Sequence, residues 1–322
     1  MSFNRENYKR IKEEYDGKYL KARDAADLRR AQIHAEIPEI AKLDRELSGV
    51  GLEVLEAAIS GRADEIERIK AKNTELLSRR GELLAAAGYP ADYTEIKYEC
   101  ELCSDTGAID NKMCSCMRRK LVEAGIASSG MSDLIKRQSF ENFSLDYYKQ
   151  SEQVYSVMSA IYKVLCKYAE DFAPQTSGNI AMFGGTGLGK THLSSAVAGK
   201  VIQKGHDVYY ASALSLFADF ELRRFGNSAS VSADGNINRY FDCDLLIIDD
   251  LGTEVTNQFT TSCLYDIINS RLNAKKPTII STNLSQDEFR KRYWDRITSR
   301  VLGEYSVLPF CGTDIRSQKL RR

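Results

Sequence analysis

The spacing of apolar residues divides the chain into two parts. In residues 1–95, apolar side chains recur at intervals of three and four, as at Ile33, Ile37 and Ile40, which predicts amphipathic helices. Pro38 lies inside this run and predicts a break, because proline removes a helical hydrogen bond. We predict two or three helices that form a hairpin or a short coiled coil. Their narrow apolar stripes leave open whether the helices only pack on one another or also bind a partner.

From about residue 150 the pattern changes to short apolar runs that alternate with amphipathic segments. Runs that are apolar on both faces are typical of strands in a parallel sheet that helices cover on both sides. The sequence therefore predicts an α/β domain over 150–322, with a parallel five-stranded sheet and flanking helices. Its strands are predicted at NIAMFGG, DVYYAS, CDLLIIDD, PTIISTN and EYSVLPF. Residues 121–149 are predicted to be a linker that ends in a short ordered lead-in.

Composition and charge exclude several classes of protein. The 322 residues carry 45 Lys and Arg against 45 Asp and Glu, so no overall charge favours nucleic acid or an anionic membrane. The N-terminus is charged throughout, and no apolar run approaches the length of a membrane span. These features predict a cytoplasmic protein with no membrane partner, in which thiols stay reduced.

A glycine-rich segment at 184–191 matches the phosphate-loop pattern G-x-x-x-x-G-K-[ST] at every required position. A predicted strand precedes it and a predicted helix follows, as this kind of loop requires. Backbone N–H groups and the helix N-terminus would bind phosphates, while the lysine neutralises the β- and γ-phosphates and the threonine hydroxyl binds Mg²⁺. The predicted ATP site comprises Gly184, Gly185, Thr186, Gly187, Leu188, Gly189, Lys190, Thr191 and the neighbouring His192.

Two carboxylates end the predicted strand LLIIDD. Asp249 is predicted to hold Mg²⁺ together with Thr191, and Asp250 to orient or deprotonate the attacking water. Glu254 is the alternative base. In phosphate-loop ATPases with an inserted strand, a polar residue at the tip of that strand lies beside the γ-phosphate, so Asn283 is predicted to sense it. No guanine-reading N-K-x-D motif occurs, which favours ATP over GTP.

Four cysteines form a second candidate site. The pairs Cys100–Cys103 and Cys114–Cys116 flank the turn-rich segment SDTGAIDNK, and four thiolates can close a tetrahedral Zn²⁺ site. The same ligands could hold an iron–sulfur cluster, whereas a reducing compartment disfavours disulfides. We predict a zinc knuckle over 96–120 that is structural, because four protein ligands leave no position for a substrate.

Several motifs occur in one order: the phosphate loop, IIDDLGTE, STN, RITSRVLG and GTDIR. Over 138–322 they resemble the helicase-loader ATPases of the DnaC/DnaI type, a branch of the AAA+ superfamily that also includes the transposition helper IstB. The cysteine segment and the lead-in FENFSLDYY resemble the DnaI-like loaders of Gram-positive bacteria and their phages.

The resemblance implies an AAA+ (ASCE P-loop) ATPase with slow turnover, in which ATP binding and hydrolysis act as a switch. It implies that the N-terminal region binds a hexameric replicative helicase, that the ATPase domain self-associates, and that the helicase is delivered to single-stranded DNA. It further implies that Arg300 is an arginine finger acting in trans, with Arg296 as the alternative, and that Arg316 is a second sensor of nucleotide.

The resemblance also implies contacts with single-stranded DNA near the end of the segment SLFADFELRRFGN. There Arg223 and Arg224 would contact the DNA backbone and Phe225 would stack on a base, with Phe259 as a further candidate. Helical spacing also fits a place in the core for the phenylalanines of this segment.

Two features depart from the family pattern. Most AAA+ enzymes end the second motif strand with Asp-Glu, whereas this chain has Asp-Asp. The sequence ends at Arg322, soon after Arg300, so we expect no full C-terminal lid and no DNA-binding helix-turn-helix. Two other functions stay open: an IstB-like ATPase that regulates a transposase, and a non-hydrolysing adaptor that only binds nucleotide and partner.

Overall fold

The computed structural model describes residues 3–59, 62–225 and 231–320. The chain divides into two compact units, one of residues 12–117 and the other of residues 1–11 and 118–322. We call these the helical unit and the α/β unit. Among the described residues, no helix combines the length and the apolar character needed to cross a membrane.

Three helices dominate the helical unit: α1 (Arg5–Glu36), which contributes its residues from Lys12 onwards, α2 (Pro38–Ile59) and α3 (Ala63–Ala86). A single residue separates α1 from α2, which confirms the predicted break at Pro38. Ile33, Ile40 and Leu84, one from each helix, are fully buried against one another. The apolar stripes that the sequence showed therefore form a small core of their own.

A polar cluster joins the same three helices. Asp44 of α2 lies 2.7 Å from the His34 ring nitrogen of α1 and accepts a 2.6 Å hydrogen bond from Arg80 of α3. Arg80 also donates to the hydroxyl of Thr94, which is buried. Burial acts to raise the pKa of Asp44, but the hydrogen bonds from Arg80 and His34 outweigh it and hold that pKa below its ordinary value. The folded unit thus stabilises the ionised carboxylate.

The cysteine segment of the helical unit folds around a short antiparallel hairpin, β1 (Ala108–Ile109) and β2 (Lys112–Met113). Asp110 and Asn111 form its turn with positive φ, a conformation these two residue types tolerate better than most. Helix α4 (Ser115–Ser128) begins directly after the hairpin.

The α/β unit contains five parallel strands in the order β4-β5-β6-β3-β7. They are β3 (Asn179–Phe183), β4 (Val208–Ser212), β5 (Leu245–Leu251), β6 (Thr278–Thr282) and β7 (Tyr305–Pro309). Strand β6 lies between β3, which leads into the phosphate loop, and β5, which carries Asp249. This confirms the predicted five-stranded parallel sheet with its inserted strand.

Both faces of the sheet are covered, as its fully apolar strands predict. Within β3, Ile180 and Met182 enter one core and Ala181 and Phe183 the other, because successive side chains of a strand point to opposite faces. The described helices of this unit after α4 are α5 (Ser132–Arg137), α6 (Glu152–Glu170), α7 (Lys190–Gln203), α8 (Ala213–Phe225), α9 (Val231–Asp242), α10 (Gln258–Asn273), α11 (Gln286–Arg292), α12 (Asp295–Glu304) and α13 (Ile315–Leu320).

Three segments differ from the sequence prediction. The predicted linker 121–149 contains most of α4, all of α5 and a 3-10 turn at Leu145–Tyr148. The stretch QDEFRKRYWDRITSRV after β6, whose pattern predicts a single helix, forms two helices, because Tyr293 and Trp294 have extended ψ angles between α11 and α12. Helix α9 was not predicted.

Candidate functional site

The phosphate loop joins β3 to α7 at the carboxyl edge of the sheet. Gly184 and Gly187 have φ angles of 148° and 70°, which side chains other than glycine rarely adopt. A Cβ atom at Gly187 would lie 1.9 Å from Asp314 Oδ1, and one at Gly184 would lie 2.3 Å from the Phe310 carbonyl oxygen. Both positions therefore need glycine for backbone conformation and for space.

Lys190 is buried at the start of α7, and its ammonium group is fully engaged. It donates to the carbonyl oxygens of Gly184 and Gly185, both at 2.7 Å, and to Asn283 Oδ1 at 2.6 Å. Burial lowers the pKa of Lys190, while Asp250 and Asp249 act in the opposite direction. All three acceptors are neutral groups, so an anion at the loop would offer this cation a stronger partner.

Asp249 is buried at the end of β5 and accepts hydrogen bonds from three hydroxyl groups. Thr191 and Tyr210 donate to Oδ2, each at 2.9 Å, and Ser281 donates to Oδ1. The side chains predicted to hold Mg²⁺, Thr191 and Asp249, are thus in direct contact. Carboxylate and hydroxyl oxygens are ligands that suit Mg²⁺, so this donor set fits the ion.

Asp250 has a positive φ of 55°, a left-handed conformation that aspartate adopts more readily than most residues with a side chain. Its N–H donates to Ser281 Oγ at 3.0 Å, and its carboxylate accepts a 3.1 Å hydrogen bond from Asn283 Nδ2. The amide of Asn283 therefore bridges Asp250 and Lys190. Asp250 and Asn283 both line the pocket beside the phosphate loop.

Glu254, the alternative base, occupies a different place. It is buried, accepts a 2.8 Å hydrogen bond from the Gly252 N–H and another from the Tyr293 hydroxyl. The described residues that line the pocket include Asp250 but not Glu254. The geometry therefore gives Glu254 a role in holding the loop after β5.

The lining of the same pocket also includes aromatic and amide side chains. Phe143 and Tyr147 of the lead-in line it, together with His192. His192 Nε2 donates to the Ser139 carbonyl oxygen at 2.9 Å, and its ring meets the edge of Phe143 at 5.1 Å. The described pocket lining also includes Gln138, Asn142, Ser144, Ile315 and Lys319.

The four cysteines of the helical unit converge as the sequence predicted. All four sulfur atoms lie within 4.8 Å of one another; Cys100 and Cys114 are 3.9 Å apart, and Cys103 and Cys116 3.6 Å. Four sulfurs bound to a tetrahedral zinc ion at about 2.3 Å lie about 3.8 Å from one another, so the residues fit this metal. All four cysteines are free thiols, so none of them forms a disulfide.

A sequence model of the family described as "IstB-like ATP binding protein" matches residues 130–316, more than half of the chain. The chain belongs to this family. Its matched region contains the phosphate loop and both carboxylates at the end of β5, so this family member carries an ATP-binding domain of the IstB-like type.

Curated relatives are similar over the same region. The replicative helicase loader DnaC of Escherichia coli K12 is 28% identical over 176 residues, which cover 54% of this chain and 66% of the loader, just under two thirds of its length. DnaC of Buchnera aphidicola subsp. Schizaphis graminum is 25% identical over 58% of this chain and 72% of that protein. The phage-like element PBSX protein XkdC of Bacillus subtilis is 25% identical over 64% of this chain and 80% of that protein.

Two solved structures match part of this family member. The crystal structure of the DnaC helicase loader is 22% identical, with a TM-score of 0.45, and the match covers 53% of this chain and 98% of that one. The crystal structure of DnaI is 17% identical, with a TM-score of 0.45, and the match covers 56% of this chain and 92% of that one.

The predicted arginines of the IstB-like domain occupy different surroundings. Arg316 is exposed at the start of α13 and lines the pocket. Arg300 of α12 is not among the described pocket residues; it donates to Asn269 Oδ1 at 3.0 Å and lies 4.9 Å over the Tyr265 ring. Arg296 is exposed one turn earlier. Arg300 is partly buried and Arg296 exposed, and neither is among the described residues that line the nucleotide pocket.

Of the residues predicted to contact DNA, the structure brings Arg224 and Phe259 together. Arg224, in the last turn of α8, places its guanidinium 4.9 Å over the Phe259 ring, and Phe259 packs partly into the core. Arg223 precedes it in the same turn. Phe225 ends α8, and its side chain lies outside the described part of the chain.

Sequence reasoning missed Tyr210, Phe143, Tyr147 and Asp314. Tyr210 reaches Asp249 from β4, and Asp314 reaches the loop from the turn before α13. For Phe143 and Tyr147 a signal was present, because the lead-in FENFSLDYY is rich in aromatic residues beside a nucleotide-binding domain.

Proposed function

We propose that this chain is an ATP-dependent loader of a hexameric replicative helicase, in which slow ATP hydrolysis acts as a switch. The observation that carries the ATPase part is the Asn283 bridge between Lys190 and Asp250. It connects the lysine that would bind the terminal phosphate with the acid that would activate water. The helicase client is proposed from relatives that are named replicative helicase loaders.

ATP would bind with its base between the lead-in and α13 and its phosphates in the loop. Phe143 and Tyr147 offer aromatic surface for the base. At the other end, Lys190 would exchange the carbonyl oxygens of Gly184 and Gly185 for phosphate oxygens. The N-terminus of α7 adds its positive end to the same site.

Thr191 and Asp249 would hold Mg²⁺, which neutralises charge on the β- and γ-phosphates. To do so, the Thr191 hydroxyl would turn from Asp249 to the metal, while Tyr210 and Ser281 keep the carboxylate in place. Asp250 would then orient or deprotonate the attacking water. When Lys190 moves to the phosphate, Asn283 would lose its hydrogen bond from Lys190 and take another partner. The position of Asn283 would therefore depend on whether the terminal phosphate is present.

Catalytic groups from a second copy would complete the site. Arg300 is proposed as the arginine finger in trans, because it lies outside its own pocket, and Arg316 as the sensor within the same chain. Self-association would occur through the ATPase domain, residues 150–322. Arg223, Arg224, Phe225 and Phe259 are proposed to contact single-stranded DNA.

The N-terminal parts are proposed to recognise the helicase. Residues 1–95 would form the binding arm, and the four cysteines within residues 96–120 would hold a structural Zn²⁺ ion that keeps the arm rigid. Residues 121–149, which belong to the α/β unit, would connect this arm to the ATPase domain. Zinc bound by four thiolates contributes folding free energy and has no open position for catalysis.

Steady-state hydrolysis tests the enzyme. Wild type should hydrolyse ATP, and Lys190→Ala and Asp250→Asn should reduce the rate about 100-fold or more. Equal, background rates for all three would instead favour the non-hydrolysing adaptor. For the trans finger, Arg300→Ala and Lys190→Ala should each be inactive alone, and mixing them should restore part of the activity. No recovery in assembled mixtures would contradict the assignment of Arg300.

Binding to purified clients tests the loader. The full chain should form a complex with the hexameric replicative helicase of the same genome in size-exclusion chromatography with light scattering. A complex with a transposase in place of the helicase would favour the IstB-like alternative and contradict the loader.

A further inference from the structure

Helix α1 contacts the cysteine cluster directly. Tyr15 lies on α1 and is only 3% exposed, and its hydroxyl is hydrogen-bonded to the sulfur of Cys116. The two residues are far apart in sequence, so this contact exists only in the folded helical unit. Neither the cysteine pattern nor the helical periodicity indicated it.

The ring of Tyr15 is fixed from a second side. A Cβ atom at Gly107 would lie 3.3 Å from Tyr15 Cδ1 and 2.7 Å from Met117 Sδ. Gly107 has a φ of 76° and precedes β1, so the turn between the two cysteine pairs leaves room for the aromatic ring. The hydroxyl is therefore held at Cys116 by packing as well as by its hydrogen bond.

Neighbouring residues on the same face of α1 contact the chain just before Cys100. Lys18 pairs with Glu99, and the ring of Tyr19 stacks on Tyr98 with centroids 6.2 Å apart and planes within 4°. Positions 15, 18 and 19 lie on one helix face because they are three and four residues apart. Tyr15 belongs to this face and places its hydroxyl at a sulfur of the cluster.

We propose that Tyr15 is a positioning residue of the zinc site, and that its hydroxyl donates to the Cys116 thiolate that binds the metal. This inference rests on the proposed zinc site. Four thiolates around one Zn²⁺ ion carry excess negative charge, and a hydrogen bond to one sulfur reduces it and fixes the direction of that ligand. Helix α1 thereby becomes part of the metal centre.

Tyr15→Phe in the full chain tests the proposal, since it removes only the hydroxyl. Zinc is first quantified in wild type and variant, and its affinity is then measured by competition with a chromogenic chelator. We expect one zinc per chain in both proteins and an affinity about 10- to 100-fold weaker in Tyr15→Phe. After replacement of zinc by Co²⁺, the sulfur-to-metal charge-transfer absorption should shift to longer wavelength, because the unbonded thiolate donates charge more readily.

Tyr19→Phe is the matched control, since it changes the same residue type on the same helix face. Its affinity and Co²⁺ spectrum should equal those of wild type. Equal affinities and identical Co²⁺ spectra for Tyr15→Phe and wild type would overturn the role of Tyr15 and leave the zinc site standing. A wild-type chain that binds neither zinc nor Co²⁺ would instead refute the zinc site itself. Circular dichroism of the zinc-loaded variants checks that both are folded.

Discussion

The hydroxyl of Tyr210 donates a 2.9 Å hydrogen bond to Asp249 Oδ2, the same oxygen that accepts from Thr191. Tyr210 belongs to β4, the strand at the edge of the sheet, and its N–H donates to the carbonyl oxygen of Ser129. The carboxylate proposed to hold Mg²⁺ is therefore oriented by a side chain that belongs to none of the recognised motifs.

Tyr210→Phe should raise the Mg²⁺ concentration needed for half-maximal ATP hydrolysis about tenfold. The variant loses one hydrogen bond to a charged group, which is about 1.5 kcal/mol, and Asp249 is then held by fewer hydroxyl groups. Titration of Mg²⁺ at saturating ATP measures the effect. Tyr168→Phe is the control, because its hydroxyl bonds to the Gly178 carbonyl oxygen instead. An unchanged Mg²⁺ titration for Tyr210→Phe would contradict the positioning role.

Asp250→Asn and Glu254→Gln should separate chemistry from stability. Asp250 lies in the pocket, so its amide variant should still bind ATP but should hydrolyse it at a rate at least about 100-fold lower. Glu254 is buried and accepts hydrogen bonds from the Gly252 N–H and the Tyr293 hydroxyl, so its variant should mainly lower the melting temperature. Thermal unfolding and the rate per folded molecule are measured for both. Loss of hydrolysis in Glu254→Gln without a change in melting temperature would make Glu254 the base.

The sheet and the phosphate loop could be predicted because their signals are local. Strands that are apolar throughout, and glycines with a lysine at fixed spacing, can be recognised without knowledge of tertiary contacts. Tyr210 and Asp314 could not be predicted in this way, since each reaches the site from an element distant in sequence. The break between α11 and α12 was missed for the same reason: Tyr293 is held there by Glu254.

Arg271 illustrates the same limit within the core. Its place in the last turn of α10 is typical of an exposed basic residue, yet it is only 1% exposed. Its guanidinium donates to the carbonyl oxygens of Tyr240 and Cys243 at the end of α9, and to that of Pro277 just before β6. The sequence does not show that these two segments leave carbonyl groups at one point.

Asp44→Asn should destabilise the helical unit near neutral pH and much less in acid. Because the pKa of Asp44 is lower in the folded state than its ordinary value of about 4, the carboxylate contributes stability above that value. This contribution is lost as the pH falls through the lower pKa of the folded state. Hydrogen exchange of α2 in both proteins, from about pH 6 to about pH 3 with correction for intrinsic exchange rates, measures the difference. A stability difference that stays constant over this range would contradict the assignment.

Tyr147→Ala should weaken the binding of ATP and of ADP by the same factor, about tenfold, because Tyr147 lines the pocket and is proposed to contact the base instead of the terminal phosphate. Lys190→Ala should instead weaken the binding of ATP more than the binding of ADP, since the lysine would contact the β- and γ-phosphates. Calorimetric titration with ADP and a non-hydrolysable ATP analogue compares the two variants. Tyr147→Phe keeps the aromatic ring and should bind both nucleotides as wild type does. A selective loss of ATP in Tyr147→Ala would reverse the proposed orientation of the nucleotide, with its base in the lead-in pocket.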